Sequence, residues 1–328
     1  MSDILRFVGL DVGGTTMKAA VVDDTGRDFP SESLPTEAHK GQEHGLATMC
    51  AVIRNAVKAA SLTMADIAGI GVATPGTMDL AAGVILDPPN MKPWRNVPVR
   101  QHVADTFRLP TAFQNDANAA AFGEYWTGAG KGARSLVFFT LGTGVGGGII
   151  VFDRVLEGAH SHGGELGHMK IEMTNPRECG CGKFGCLEAY ASATAVVKRA
   201  KEALAEDSGK SKLHHRPVKN EGLTAEDVFD AAKAGDKLAQ EIVDRTAFYL
   251  AMGATNVMHT INPEMVVFGG GMIEAGEPFL NKIRQYVKRL AFPVPAERTE
   301  IRYAQLGSKA GFIGAAACAR LLVRGKHE

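Results

Sequence analysis

Apolar positions recur along this chain with two periods, and the period assigns most of its elements. Phe7 to Asp11 and Ala19 to Val22 are apolar runs of strand length on either side of a Gly-Gly-Thr turn, which predicts a hairpin. Val52, Ile53, Ala56, Val57 and Ala60 share one helical face. Ile67 to Ala73 reads as a strand closed by the turn Thr74-Pro75-Gly76. A short helix is expected over Val99 to Phe107, a strand over Thr111 to Gln114, and an alanine-rich helix over Ala117 to Trp126. Lys131 to Arg134 reads as a surface linker, and Ser135 to Leu141 and Gly148 to Phe152 as two further strands. Asp207 to Glu221 is polar and reads as a mobile surface loop. Thr224-Ala-Glu-Asp227 has the form of a helix cap, and a helical pair follows to about His259. Met265 to Phe268 is a buried strand, Glu277 to Leu290 a helix, Ile301 part of a strand and Ala310 to Leu322 a last helix. Strands alternating with helices indicate an α/β protein.

Between the strands at Leu141 and Gly148 lies Gly142-Thr-Gly-Val-Gly-Gly147. This repeats the design of the opening hairpin about 130 residues earlier, and suggests a duplicated architecture with one copy per domain. The segment contains G-x-G-x-x-G, but a dinucleotide site needs a helix after the loop, and here a strand follows. No Gly-Lys-Ser/Thr closes it, so it is not a Walker loop. Glycines let backbone N–H groups approach phosphate oxygens. Asp11-Val-Gly13-Gly14-Thr15, Gly142-Thr143-Gly144 and Gly269-Gly-Gly271 together could grip ATP, with Asp11 reaching Mg²⁺ through water. A tight hairpin with a surface aspartate is the alternative for the first loop.

The length of 328 residues favours two domains at about 100–200 residues each. Lys plus Arg and Asp plus Glu both number 36, a balance that argues against a broad nucleic-acid surface. No apolar run is long enough to span a membrane, and the N-terminus lacks the pattern of a signal peptide. A cytoplasmic protein is expected, with Cys50 and Cys318 reduced.

Three of the five cysteines sit in one loop, Cys179-Gly-Cys181-Gly-Lys-Phe-Gly-Cys186, shortly after Glu165-Leu-Gly-His168. Three thiolates and an imidazole suit a closed, structural zinc site. Reduced thiols without metal are the plainer reading, and a disulfide would leave one cysteine over. Glu165 and Glu188 bracket the segment, and its fold would bring them near His168, where carboxylates could receive sugar hydroxyls. Asn115-Asp116 stands at a strand-to-helix junction. It could cap the helix, or supply a carboxylate that takes the proton of an attacking hydroxyl; both roles can apply.

Taken together, the Asp11 glycine loop, Thr74-Pro-Gly76, Asn115-Asp116, Leu141 to Gly148, Glu165-Leu-Gly-His168 and Cys179 to Glu188 resemble the ROK family (repressors, open reading frames and kinases). The resemblance covers nearly the whole chain and is closest to bacterial glucokinases. It implies a two-domain actin-like ATPase (ribonuclease H-like) fold with a small zinc-binding loop over 168–186. The first domain, 1–118, would be completed by a returning C-terminal helix, 308–328; the second would span 119–307, with a cleft between them. It further implies Asp116 as catalytic base, with Asn115, Asp116, Glu165, His168 and Glu188 on the sugar and Gly76 and Asn90 nearby. Asp11, Gly13, Gly14, Thr15, Gly142, Thr143, Gly144 and Gly270 would hold ATP with Mg²⁺, and His168, Cys179, Cys181 and Cys186 would hold Zn²⁺. Thr16 stands where many members carry Lys, and Lys18 follows two positions later.

The expected activity is ATP-dependent phosphorylation of a hexose at its 6-hydroxyl, glucose first. N-acetylglucosamine, N-acetylmannosamine, mannose or fructose are alternative acceptors, and polyphosphate is an alternative donor. A sugar-sensing regulator is the reading from another class; such members carry a helix-turn-helix before the glycine hairpin, which here begins near residue 11. Family members form homodimers or homotetramers, and no nucleic-acid or membrane partner is expected.

Overall fold

The computed structural model describes residues 4–88, 91–207, 209–215 and 222–325. Its first elements are β1 (Arg6–Val12), β2 (Thr16–Asp23), β3 (Glu32–Pro35), α1 (Gln42–Ala59), β4 (Gly69–Thr74), β5 (Met78–Asp79), β6 (Val84–Ile85), α2 (Val99–Phe107), β7 (Thr111–Asn115) and α3 (Asp116–Trp126). They are followed by β8 (Ser135–Leu141), β9 (Val145–Val151), β10 (Arg154–Val155), α4 (Glu188–Ala191), α5 (Ala193–Glu206), α6 (Ala225–Lys233) and α7 (Lys237–Ile261). The chain continues through β11 (Met265–Gly269), α8 (Glu277–Leu290), α9 (Pro293–Arg298), β12 (Glu300–Tyr303) and α10 (Ala310–Arg324).

Two compact units result. One holds the chain up to Arg134, Gly148–Gly164 and the chain from Gln305 on; the other holds Ser135–Gly147 and Glu165–Ala304. The two five-stranded sheets share one plan, β3-β2-β1-β4-β7 and β10-β9-β8-β11-β12. In each, a hairpin with a glycine turn supplies two neighbouring strands, and two strands then add in parallel. The two glycine hairpins thus begin two sheets of like strand order, with Gly148–Gly164 of the second sheet's hairpin grouped in the first unit.

In the first unit, strand periodicity sorts side chains to two faces. Val8, Leu10 and Val12 of β1 join Met49, Val52, Ile53, Ala56 and Val57 of α1 in one core. Phe7 of β1 joins Ala20 and Val22 of β2 and Phe312, Ile313, Ala316 and Ala319 of α10 in another. Helix α10 lies almost against the sheet backbone. A Cβ on Gly9 would fall 1.8 Å from the Phe312 carbonyl oxygen, and one on Gly71 would fall 1.7 Å from that of Ala315. The carboxylate of Glu124, fully buried in α3, accepts the N–H groups of Ala129 (2.8 Å), Gln305 (3.0 Å) and Leu306 (2.7 Å). This fixes the chain just before α10, because a buried carboxylate is tolerated only when its lone pairs are filled.

In the second unit, Phe139 of β8 stacks on Phe268 of β11, with ring centroids 5.3 Å apart. Helix α6 opens with a reciprocal capping box: Asp227 N–H donates to Thr224 Oγ1 at 3.2 Å and Thr224 N–H donates to Asp227 Oδ2 at 2.9 Å. Asp236 caps α7 through Ala239 N–H and also accepts Ser211 Oγ–H at 2.9 Å and Lys212 N–H at 2.6 Å. The expected mobile loop is thus corrected in part: a tight helical turn, Lys212–His215, is anchored to the start of α7. Residues 208 and 216–221 lie outside the described residues.

Candidate functional site

In the first unit, Asp11 stands one residue before the end of β1, paired across the hairpin with Lys18. Its carboxylate is pressed against α10, where a Cβ on Gly311 would fall 2.2 Å from Oδ2. Burial pushes the Asp11 carboxyl up to about 6, against the pull of Lys18. The turn after it is tied to the end of β3: Thr36 Oγ1–H donates to Gly13 O at 2.6 Å, and Thr36 N–H to Thr15 O at 2.9 Å. Gly14 and Thr15 are exposed at its tip. The Lys18 ammonium lies 3.5 Å from Ser308 Oγ and 5.3 Å from the centre of the Phe312 ring, so this lysine lies against the start of α10.

The strand-to-helix junction shows which of Asn115 and Asp116 caps the helix. Asn115 Oδ1 accepts Ala117 N–H at 2.9 Å and Asn118 N–H at 3.2 Å, which makes Asn115 the cap of α3. Asp116 occupies the first helical position, half-buried, with Oδ1 accepting Ala117 N–H at 2.8 Å. Gln114 steadies the junction, accepting Asn115 N–H and donating to Glu157 at 2.8 Å. Gly76 has φ of 94°, and a Cβ there would meet Pro88 at 2.8 Å, so the turn after β4 requires glycine. Asn90 lies outside the described residues.

In the second unit, the loop Gly142-Thr143-Gly144 is closed by Gly142 N–H donating to Gly144 O at 3.0 Å. Ala193 N–H and Thr194 Oγ1–H, at the start of α5, donate to Gly142 O and Thr143 O. Gly270 has φ of 87° and its α-carbon sits against the Leu141 backbone, where a Cβ would fall 2.4 Å from the carbonyl oxygen. A cavity of about 530 Å³ opens beside these turns, lined by Gly142 and Thr143, by Glu226, Phe229 and Lys233 of α6, and by Gly271. Its size and its mixture of apolar and charged walls suit a nucleoside.

The metal-ligand candidates converge within the same unit. One ligand atom each from His168, Cys179, Cys181 and Cys186 lies within 4.8 Å of the others. Cys181 Sγ and Cys186 Sγ are 3.8 Å apart, and Cys179 Sγ is 3.8 Å from His168 Nδ1. Tetrahedral zinc with bonds of about 2.3 Å to sulfur separates two sulfurs by about 3.8 Å, whereas a disulfide needs about 2.05 Å. All five cysteines are free. The donor set and spacing therefore fit a structural zinc ion. His168 presents Nδ1 to the thiols, and its Nε2 lies 4.0 Å from Glu165 Oε2. Glu188 stands between this cluster and the glycine loop: Oε1 lies 3.3 Å from Cys179 Sγ, and Oε2 accepts Val145 N–H.

A sequence profile of the ROK family matches residues 7–321. The chain belongs to the ROK family. This ROK protein is 38% identical over 308 residues to a glucokinase of Halalkalibacterium halodurans, spanning 94% of this chain and 93% of that one. It is similar to the ROK hexokinase from Thermus thermophilus, with a TM-score of 0.85 and 33% identity over 98% and 100% of the two chains. It is also similar to a ROK family glucokinase from Streptomyces griseus solved with glucose and AMPPNP, with a TM-score of 0.78 and 32% identity over 97% and 99%. Its mixed α/β architecture is the actin-like ATPase fold of these ROK sugar kinases. No helix of the described residues is long and apolar enough to cross a membrane.

Three neighbours of the site carried no signal in the sequence. Glu157 and Lys170 stand in irregular segments without a motif, and Glu226 reads as an ordinary acidic residue in the first turn of a helix.

Proposed function

We propose that this ROK protein phosphorylates the 6-hydroxyl of a hexose, glucose foremost, with ATP as donor. The observation that carries the reading is the nucleoside-sized cavity in the second unit, lined by Gly142, Thr143 and Gly271 of the glycine turns. The likeness to a glucokinase solved with glucose and AMPPNP supports it. Asp116 takes the proton of the sugar hydroxyl as that oxygen attacks the γ-phosphoryl group in line. Its place at the first turn of α3 holds the carboxylate on a rigid element while Asn115 serves as cap. Glu165 and Glu188 accept sugar hydroxyls, His168 donates its Nε2–H to a sugar oxygen, and the turns that hold Gly13, Gly14, Thr15, Gly142, Thr143, Gly144 and Gly270 take the phosphates. Mg²⁺ bound with ATP neutralises charge on the phosphates. His168, Cys179, Cys181 and Cys186 would hold a structural zinc ion, which would shape the loop that carries His168 and Glu188.

A coupled assay across glucose, mannose, fructose, N-acetylglucosamine and N-acetylmannosamine, each with ATP and with polyphosphate, tests this reading. The highest kcat/KM is expected for glucose with ATP. Sugar binding without turnover by either donor would overturn the reading in favour of a sugar-sensing regulator.

A further inference from the structure

Residues 169–171 run antiparallel to 185–187, and the pairing fixes a lysine beside the metal cluster. Ile171 N–H donates to Gly185 O and Leu187 N–H donates to Met169 O, both at 2.9 Å, which places Lys170 directly opposite Cys186. This is the non-hydrogen-bonded type of pair, in which the two α-carbons approach to about 4.5 Å and both side chains project to the same face. The Lys170 ammonium accordingly lies 2.9 Å from Cys186 Sγ. Cys186 is fully buried, while Lys170 is exposed.

The charge count gives this contact a purpose. Zinc with three thiolates and a neutral imidazole carries a net charge of about −1. The Glu188 carboxylate, 3.3 Å from Cys179 Sγ, adds to it. Among the described residues, Lys170 is the cation hydrogen-bonded to a ligand sulfur. We propose that Lys170 is the counter-charge of the metal centre, donating to the Cys186 thiolate and slowing loss of the ion. The inference rests on the zinc reading of the four ligands. Hydrogen bonds to metal ligands tune how tightly a site holds its ion, and an ammonium beside an anionic cluster does so through charge as well as geometry.

The test measures zinc release from the intact, zinc-loaded protein to a chromogenic chelator. Wild type is compared with Lys170→Arg, Lys170→Gln and Lys170→Glu; the exposed position leaves the core unchanged. Release is expected about two- to fivefold faster for Gln, faster again for Glu, and near wild type for Arg, a range set by the modest strength of exposed charge pairs. The difference between wild type and Gln should narrow at about 1 M salt, where the Debye length falls to about 3 Å. Equal release rates for wild type, Gln and Glu would overturn the proposal while leaving the zinc site standing. Equal acceleration in Arg and Gln would also overturn it, because shape rather than charge would then matter. Wild-type protein without zinc by elemental analysis would remove both the proposal and the zinc reading beneath it.

Discussion

Glu188 Oε2 accepts the backbone N–H of Val145 at 3.0 Å, so one carboxylate joins the cysteine loop to the glycine hairpin of the same unit. Hydrogen bonds to charged groups contribute about 1.5–3 kcal/mol when buried. Glu188→Ala is expected to lower the stability of the folded protein by about 1–2 kcal/mol, since the site is only partly buried. It should also weaken both sugar and ATP binding, because the two loops lose their common tie. Gly144→Val should act on the same tie, as a Cβ at Gly144 would fall 2.4 Å from Glu188 Oε2. Thermal melting and titration calorimetry read these effects; unchanged ATP affinity in a folded Gly144→Val protein would detach the loop from the nucleotide.

For the metal centre, elemental analysis should find about one zinc per chain in protein purified without chelator, and none in Cys181→Ser. The variant should bind sugar more weakly, since His168 and Glu188 are carried on the loop that the ion would close. Full zinc occupancy in Cys181→Ser would disprove the ligand assignment.

Asn115 and Asp116 should separate cleanly in mutagenesis. Asn115→Ala removes the cap and is expected to cost about 0.5–2 kcal/mol of stability. Asp116→Asn keeps a group of the same size at the first helical position, and should leave the melting temperature near wild type. Its kcat should fall by about 10²–10⁴, the usual contribution of a general base. Near-normal kcat would exclude Asp116 as the base.

Asp11 couples stability to pH. Its carboxyl is raised from 3.8 in the ordinary state to about 6 in the fold, chiefly by burial. Below about pH 4 it is protonated in both folded and unfolded chains and costs nothing. As pH rises from about 4 through 6, the unfolded chain loses its proton first, and the native state is progressively penalised. The penalty reaches at most about 3 kcal/mol at neutral pH. Asp11→Asn should therefore raise the melting temperature at pH 7.5, with the gain vanishing near pH 4, even as phosphoryl transfer is lost. A variant less stable than wild type at pH 7.5 would contradict this account.

Much of the fold was legible because local signals agreed with tertiary ones. Helix α2, strand β8 and helix α8 span the residues their apolar periods assign. Helix α5 has a weak sequence signal: it starts behind a short cap at Ser192, and its apolar face is mostly alanine and valine. Strands β5, β6 and β10 are two residues long, and so short a run has no period to read. In the candidate site, residues clustered in sequence could be recognised from spacing. Lys170 could not, because its place beside Cys186 comes from a backbone pairing across 16 residues.

The packing of α10 into the first unit has a consequence for the order in which the chain is made. Residues 305–325 leave the ribosome only after all of Ser135–Ala304, yet they supply the backbone contacts at Gly9 and Gly71 and two of the N–H groups that fill the Glu124 carboxylate. The second unit therefore has all its parts while one face of the β3-β2-β1-β4-β7 sheet still waits for its covering helix. For the length of that wait, the sheet face that carries Phe7, Ala20 and Val22 lacks the helix that covers it in the finished fold.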